Sequence, residues 1–359
     1  MKILDWYILK KYLGTFVFIM IMLLSITIVI DLSEKIDSFV DNHATVKVVV
    51  FDFYLYFIPY ITSLIGPFFV LVTVIFFTSQ LAGRSEIIAI LNSGTSFYRF
   101  LYPYFLGATI FTFIFYVGNN YAVPYANKKR IDFEHKYVSK PPEGMRYSFH
   151  RTIAPGAIIY IEGYKPSDGT AARFALDKFK DGKLVYKMRS DKIEWDGKTK
   201  HWKIYNYYSR LLDEEHGDKI TSGALLDTVF SFQPSDFSFA ESQKEIMTSA
   251  ELKEYIGYMY KSGQPDIEFF EVELYRRTAS AFSIYLMTLI GVSLASRKVR
   301  GGLGWHLVLG IGLSAIYEVI MKFTITFSTN ASLPPLLGVW IPNFIYAGLA
   351  IYLVRNAPK

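Results

Sequence analysis

Apolar runs without charge occupy both ends of the chain, and a long polar stretch with period-two alternation lies between them. Leu13 to Ile30 is an uncharged run of 18 residues, about 27 Å as a helix at ~1.5 Å per residue, which matches a bilayer core. It runs into "DLSEKID" rather than a small-residue cleavage site, so an uncleaved anchor is expected. Phe53 to Thr78 predicts a second span, which Gly66-Pro67 should kink. Phe100 to Gly118, Ala279 to Ala295, Trp305 to Phe327 and Leu337 to Val354 supply four more.

The polar stretch between the third and fourth runs reads as β. "AIIYIEGY" is β-branched and aromatic, and "RFALDKF" sets Phe174 and Leu176 against Ala175 and Asp177. Asp181-Gly182 and Asp196-Gly197 are strong hairpin signals. Between them Leu184, Tyr186 and Met188 share a face; after them Trp202, Ile204, Asn206 and Tyr208 are expected on one face. Short strands separated by turns predict a small sandwich or jelly-roll-like sheet. "TSAELKEYIGYMYKSG" then returns to helix, with Thr248 and Glu251 at capping-box spacing and Gly263 as its stop. The expected fold is therefore an α-helical multi-pass membrane protein of six transmembrane helices with an inserted all-β domain. Residues 1–118 hold the first three spans, 119–266 the insert, and 267–359 the last three.

Composition agrees with a membrane solvent: 52% of the 359 residues are hydrophobic and only 19% charged. There is no cysteine, which excludes a disulfide framework, a thiol nucleophile and Cys-ligated metal sites. The net charge of +6 gathers at span ends rather than in a basic block, so nucleic acid is not an expected partner. Lys2, Lys10, Lys11, Arg84, Arg99, Arg297, Lys298, Arg300, Arg355 and Lys359 fall on one side of alternating spans. By the positive-inside rule that side, with both termini, is cytoplasmic and the insert lies outside.

No enzyme constellation is present: GxSxG and HExxH are missing, and His150, His201 and His216 read as solvated strand or loop residues. Gly197-Lys198-Thr199 resembles the end of a P-loop, but Lys192 stands where its first glycine is required. No catalytic residue, metal site or cofactor is expected. If ATP drives this protein, another chain must bring the nucleotide. A secondary transporter would need internal repeats or deep acids. The nearest case is Glu318, four residues before Lys322, which reads either as an interfacial ion pair or as part of a substrate entrance.

The connection "RSEIIAILNSG", residues 84–94, carries more pattern than a turn needs. Ile87, Ile88, Ile90 and Leu91 fit one helical face, Ser85 can cap it, Glu86 suits its positive end, and Gly94 can stop it. Two readings stand: a helix lying on lipid, or a rigid knob that docks on a cytoplasmic partner.

"LDWYILKKYLGTF", "GPFFVLVTVIFFTSQLAGRSEIIAILNSGTSFYRFLYP" and "LPPLLGVWIPNFIYAGLAIYLV" together resemble the YjgP/YjgQ family, the LptF and LptG permeases of lipopolysaccharide export. The resemblance spans nearly the whole chain and is most specific around residues 84–94; the ending leans toward the G-type subunit. It implies an inner-membrane permease that pairs with a sibling permease in a heterodimer and sits on a separate cytoplasmic ATPase dimer. It also implies a periplasmic jelly-roll-like domain that hands lipopolysaccharide to a periplasmic β-jellyroll bridge protein. The family's coupling helix falls on Arg84, Ser85, Glu86, Ile87, Ile90 and Gly94, with Glu86 as its acid. Its cations for lipid A phosphates carry over less specifically: Lys35 is in the right region, and Lys128, Lys129, Arg130, Arg276, Arg277 and Lys322, with Glu318 beside it, are the alternatives. An extruder of another lipid or of lipoproteins, and a non-transporting membrane-anchored β-domain scaffold, are the competing functions.

Overall fold

A computed structural model describes residues 2–138, 148–154, 156–165, 168–180, 182–197, 199–212, 217–230, 244–262, 267–297, 299 and 302–357. Asp181, Lys198, His216, Gly263, Lys298, Arg300 and Lys359 lie outside the described residues. Two compact units are present: Met1–Val138 with Glu245–Ser249 and Glu268–Lys359, and Ser139–Lys244 with Ala250–Ile267.

The first unit is a helical bundle. Its helices are α1 (Ile3–Asp41), α2 (Leu55–Gly83), α3 (Glu86–Asn92), α4 (Phe97–Val117) and α5 (Val123–Tyr137), followed after the β insert by three more. Those three are set out below with the helix of the insert. Two π-helical turns, Val49–Tyr54 and Gly118–Ala122, join α2 and α5 to the helical segments before them. Among the described residues, six helical rods are long and apolar enough to cross a membrane. Two of them outrun their apolar sequence. The first helix continues past Ile30 to Asp41, where Phe39 packs on Phe53 and Phe133 at ring-centroid distances of 5.9 and 6.0 Å. The third rod continues past Gly118 through α5, whose Ala126 and Phe133 are buried. In both cases tertiary burial of one apolar stripe carries the helix on where local hydropathy has ended.

The Gly66-Pro67 pair acts as its chemistry requires. Ile65 leaves helical geometry at φ −113°, ψ 17°, because the proline ring excludes the preceding residues from ideal helix. Large apolar side chains fill the bundle core, and small residues and hydroxyls let helices approach closely at particular points, as lipid-embedded helices often do. Tyr12 of α1 is fully buried beside Gly107 of α4, and its hydroxyl shares a 3.1 Å hydrogen bond with Thr288. A Cβ at position 107 would lie 2.5 Å from the Tyr12 ring. Gly107→Leu is therefore expected to cost about 1–3 kcal/mol by overpacking. A drop in the melting temperature of the detergent-solubilised chain checks this; an unchanged melting temperature would mean that the two helices separate freely here.

The second unit is an antiparallel sheet of β1 (Ser148–Ala154), β2 (Ala157–Lys165), β3 (Thr170–Lys180), β4 (Lys183–Asp196), β5 (His201–Leu211) and β6 (Lys219–Thr228), in sequential order. It is a six-stranded meander; a second layer is not among the described residues. Its core holds Ile159, Ile161, Phe174, Leu176, Met188, Ile193, Trp202 and Ile204. α6 (Ser249–Ser262) follows and buries Leu252, Ile256 and Met259 along one face. The chain ends with α7 (Ile267–Ala295), α8 (Gly302–Asn330) and α9 (Pro335–Arg355) of the bundle.

One expectation for the sheet fails. Asn206 and Tyr208 do not share the face of Trp202 and Ile204; they are exposed, while Ser209 is buried. The cause is a crease across the strands. Pairing is regular on either side, as in Ala172↔Lys192 and Phe174↔Ser190, and in Lys192↔Tyr205 and Ser190↔Tyr207. It is interrupted at Arg173, Asp191 and Asn206, which lie opposite one another, and Arg173 and Asn206 take φ of 46° and 50°. Each strand thus spends one extra residue and its inward parity flips, as at a β-bulge. Asn206→Val should cost about 1–2 kcal/mol, because a β-branched side chain resists left-handed backbone, while Asn206→Gly should be tolerated. Equal hydrogen-exchange protection of β5 in the two variants would contradict the crease.

Candidate functional site

α3 sits between two tight turns. Arg84 and Ser85 close the first, with backbone bonds to Gln80 and Ala82 of 3.1 and 3.0 Å. Ser85 does not cap α3: its φ is 60° and its side chain accepts no helix N–H. The left-handed backbone that turns the chain so sharply is incompatible with the extended geometry of an N-cap. The capping serine is Ser96, whose Oγ accepts from the Arg99 N–H at 3.3 Å to start α4. Gly94, at φ 83°, supplies the left-handed residue that closes α3.

The apolar residues of α3 divide. Ile87 is buried, and Ile90 and Leu91 pack against the same core. Ile88 is 47% exposed, so it leaves the face on which the periodicity placed it. A seven-residue helix wedged between α2 and α4 can bury only a narrow stripe. Arg84, Ile88, Ala89 and Asn92 form its outward side. Glu86 lies in the first turn, where the helix dipole favours an anion. It accepts from the Tyr7 hydroxyl of α1 at 3.1 Å and stands 3.9 Å from the Arg84 guanidinium. Beside it, buried Asp5 pairs with Arg99 at 2.7 Å and caps its own helix start through the Lys2 N–H at 2.7 Å. These bonds tie α1 and α4 to the end of the bundle that carries α3.

The far end of α1 holds a second polar cluster. Lys35 pairs with Asp31 at 2.7 Å and Glu134 at 2.9 Å and lies over the Phe53 ring at 4.6 Å. Arg130 pairs with the other oxygen of Glu134 at 2.7 Å, donates to Asn127 at 2.9 Å and stacks over Tyr60 at 4.1 Å. Glu273 of α7, 6% exposed, holds Arg276 at 2.8 Å and Arg277 at 3.0 Å. Arg277 also donates to Ser249, which bonds Asn120, while Asn127 donates to Glu245 at 3.1 Å. A cavity of about 30 Å³ lies among Tyr60, Asn119, Asn127, Glu245, Glu273 and Arg276. That is room for water and not for an acyl chain or a sugar.

Lys35, Arg130, Arg276 and Arg277 are therefore committed to carboxylates. Lys128, Lys129 and Lys322 are exposed and form no ion pair among the described residues. The interfacial pair read from Glu318 and Lys322 is not formed: Lys322 is exposed and Glu318 half-buried. A flexible lysine near a span end loses less by reaching outward than by holding a fixed pair. Glu273, Glu134, Asn120, Asn127 and Glu245 were not anticipated. The i,i+3 and i,i+4 spacings of Glu273 to Arg276 and Arg277, and of Arg130 to Glu134, were visible signals. His201 forms an exposed 2.8 Å contact with Asp227, and no cluster fit to hold a metal occurs among the described residues.

Six apolar helical rods, interrupted by one antiparallel β domain, define a multi-pass membrane protein whose polar chemistry sits at the bundle ends. The chain belongs to the lipopolysaccharide export system permease LptF/LptG family, which matches residues 6–356. No curated protein matches it.

Proposed function

We propose that this chain is a permease subunit of an ATP-driven exporter that extracts lipopolysaccharide from the inner membrane and passes it to a periplasmic β-jellyroll bridge protein. The observation that carries this reading is the family membership across nearly the whole chain. In this reading both termini and α3 are cytoplasmic, the β domain is periplasmic, and the bundle pairs with a sibling permease. Only 17% of the apolar window of α1 and 22% of that of α8 is buried within the chain, which leaves two faces for lipid or that sibling. The C-terminal stretch favours the G-type subunit.

α3 is the contact for a cytoplasmic ATPase dimer. Its outward side offers Arg84 and Ile88, with Glu86 at the rim, while Ile87, Ile90 and Leu91 root it in the core. A push on the helix passes to α1 through the Tyr7–Glu86 bond and to α2 and α4 through its two turns. At the other end, Lys128, Lys129 and Lys322 are the cations left to meet lipid phosphates, because Lys35, Arg130, Arg276 and Arg277 are held by carboxylates. Removing such a carboxylate would free a cation for phosphate, which makes the cluster a place to tune affinity. The test is purification of the chain from membranes with its partners, followed by mass spectrometry of protein and lipid. A Walker-motif ATPase and lipopolysaccharide are expected. A different lipid or a lipoprotein would point to another extruder, and no ATPase to a scaffold.

A further inference from the structure

The apolar core of the bundle is in two parts, and α2 belongs to both. Val70, Val74 and Phe77 of α2 pack in the part that holds Ile87 of α3, whereas Leu71 and Ile75 pack in the part that holds Tyr317 and Met321 of α8. The seam between α2 and α8 is closely cut. Gly310 of α8 forms a notch that Ile75 fills: a Cβ at position 310 would lie 2.2 Å from Ile75 Cδ1 and 3.9 Å from Leu71 Cγ. One turn nearer to α3, Ser79 Oγ and His306 Nδ1 share a 2.8 Å hydrogen bond, and both residues are buried, at 7% and 4% exposure. Ile75 to Ser79 and Gly310 to His306 are the same four-residue step taken in opposite directions, so the two contacts share one ridge-and-groove register.

Two features make this seam transmit movement instead of sliding. All of its α2 residues lie between the Gly66-Pro67 kink and α3, on the half of the helix that continues into the Arg84-Ser85 turn. That half contains no further proline, so it acts as a lever for whatever moves α3. Sliding along α8 would drive Ile75 out of its notch and leave the Ser79 hydroxyl and the His306 imidazole unpaired away from water, which is costly. α8 has no internal proline either, and it runs unbroken from His306 to Lys322, 16 residues along, or about 24 Å at ~1.5 Å per residue. We propose that His306 is a positioning residue: through Ser79 and the Gly310 notch it makes α8 follow α2, so that movement of α3 reaches Lys322, a lysine left to meet lipid phosphate. The inference rests on the transport reading and names the route from α3 to a helix packed in the other part of the core.

The test uses the complex with its co-purifying ATPase in proteoliposomes, with ATP hydrolysis and lipopolysaccharide release measured separately. His306→Phe keeps an aromatic ring but loses Nδ1, and should lower the lipid released per ATP about fivefold while hydrolysis continues. His306→Asn places an amide where Nδ1 was and should recover most of the loss. Gly310→Ala should uncouple in the same way. Adding Ile75→Val removes the Cδ1 that the new methyl meets and should restore coupling. This second pair carries the test on its own if His306→Phe prevents assembly. A normal ratio in His306→Phe or in Gly310→Ala, a ratio that His306→Asn and Ile75→Val fail to recover, or release and hydrolysis falling in proportion would overturn the relay. Absence of ATP-driven release from the unmodified complex would instead remove the transport reading, and the relay with it.

Discussion

Glu273→Ala is expected to destabilise the bundle by about 3–5 kcal/mol, the usual cost of stranding a buried partner charge. Arg277, 4% exposed, is the group that loses most, although it keeps its bond to Ser249; Arg276 is about one-third exposed and can recover solvent. The effect should therefore divide unequally between the arginines. Arg276→Gln should cost little, as exposed pairs are worth about 0–1 kcal/mol, whereas Arg277→Gln should approach the loss in Glu273→Ala. Combining Glu273→Ala with Arg277→Met should recover much of it, because the uncompensated charge leaves with its partner. Thermal unfolding in detergent reads all four variants. A melting temperature for Glu273→Ala equal to that of the unmodified chain would show that the cluster is hydrated and contributes nothing.

The second large effect is expected at α3. If a cytoplasmic ATPase desolvates Glu86 against a guanidinium, Glu86→Ala should cost about 2–5 kcal/mol of association. Ile88→Asp should do as much by placing a charge in the contact's apolar part. Tyr7→Phe removes only the bond that orients Glu86 and should cost about 0.5–1.5 kcal/mol. Neither Glu86→Ala nor Ile88→Asp should change membrane insertion, since both side chains are partly or largely exposed. Co-purification of an ATPase with each variant reads the effect. Normal yield with both would remove α3 from the interface and restore the lipid-surface reading of this helix.

Much of the fold was legible because its two solvents leave different periods in the sequence. Uncharged runs of span length have no stable place outside lipid, and period-two stretches closed by Asp-Gly turns have few alternatives to hairpins. What was hidden depended on packing between distant segments. The extension of α1 to Asp41 and of the third rod through α5 relies on Phe39 of α1, Phe133 of α5 and Phe53 of the π-helical turn before α2 meeting. The crease depends on Arg173, Asp191 and Asn206 interrupting the ladder together, and Asn206 alone carries only a weak hint, its tolerance of left-handed backbone.

The site was legible unevenly for the same reason. Residues 84–94 announced a helix through their own spacing, but which isoleucine turns outward depends on α1 and α4. The cations resisted assignment from sequence because their partners are remote: Glu134 for Lys35 lies 99 positions away, and Ser249 for Arg277 lies 28 away. Sequence shows a basic residue near a membrane edge; only the fold shows whether a carboxylate has already taken it.

The transport reading is tested most directly by reconstituting the chain with its co-purifying partners in proteoliposomes loaded with lipopolysaccharide. Release to an external acceptor protein is then followed on adding ATP. ATP-dependent release that falls sharply in Glu86→Ala is the predicted result. Release that is absent from an intact, ATP-hydrolysing complex, or that proceeds equally without ATP, would contradict the account.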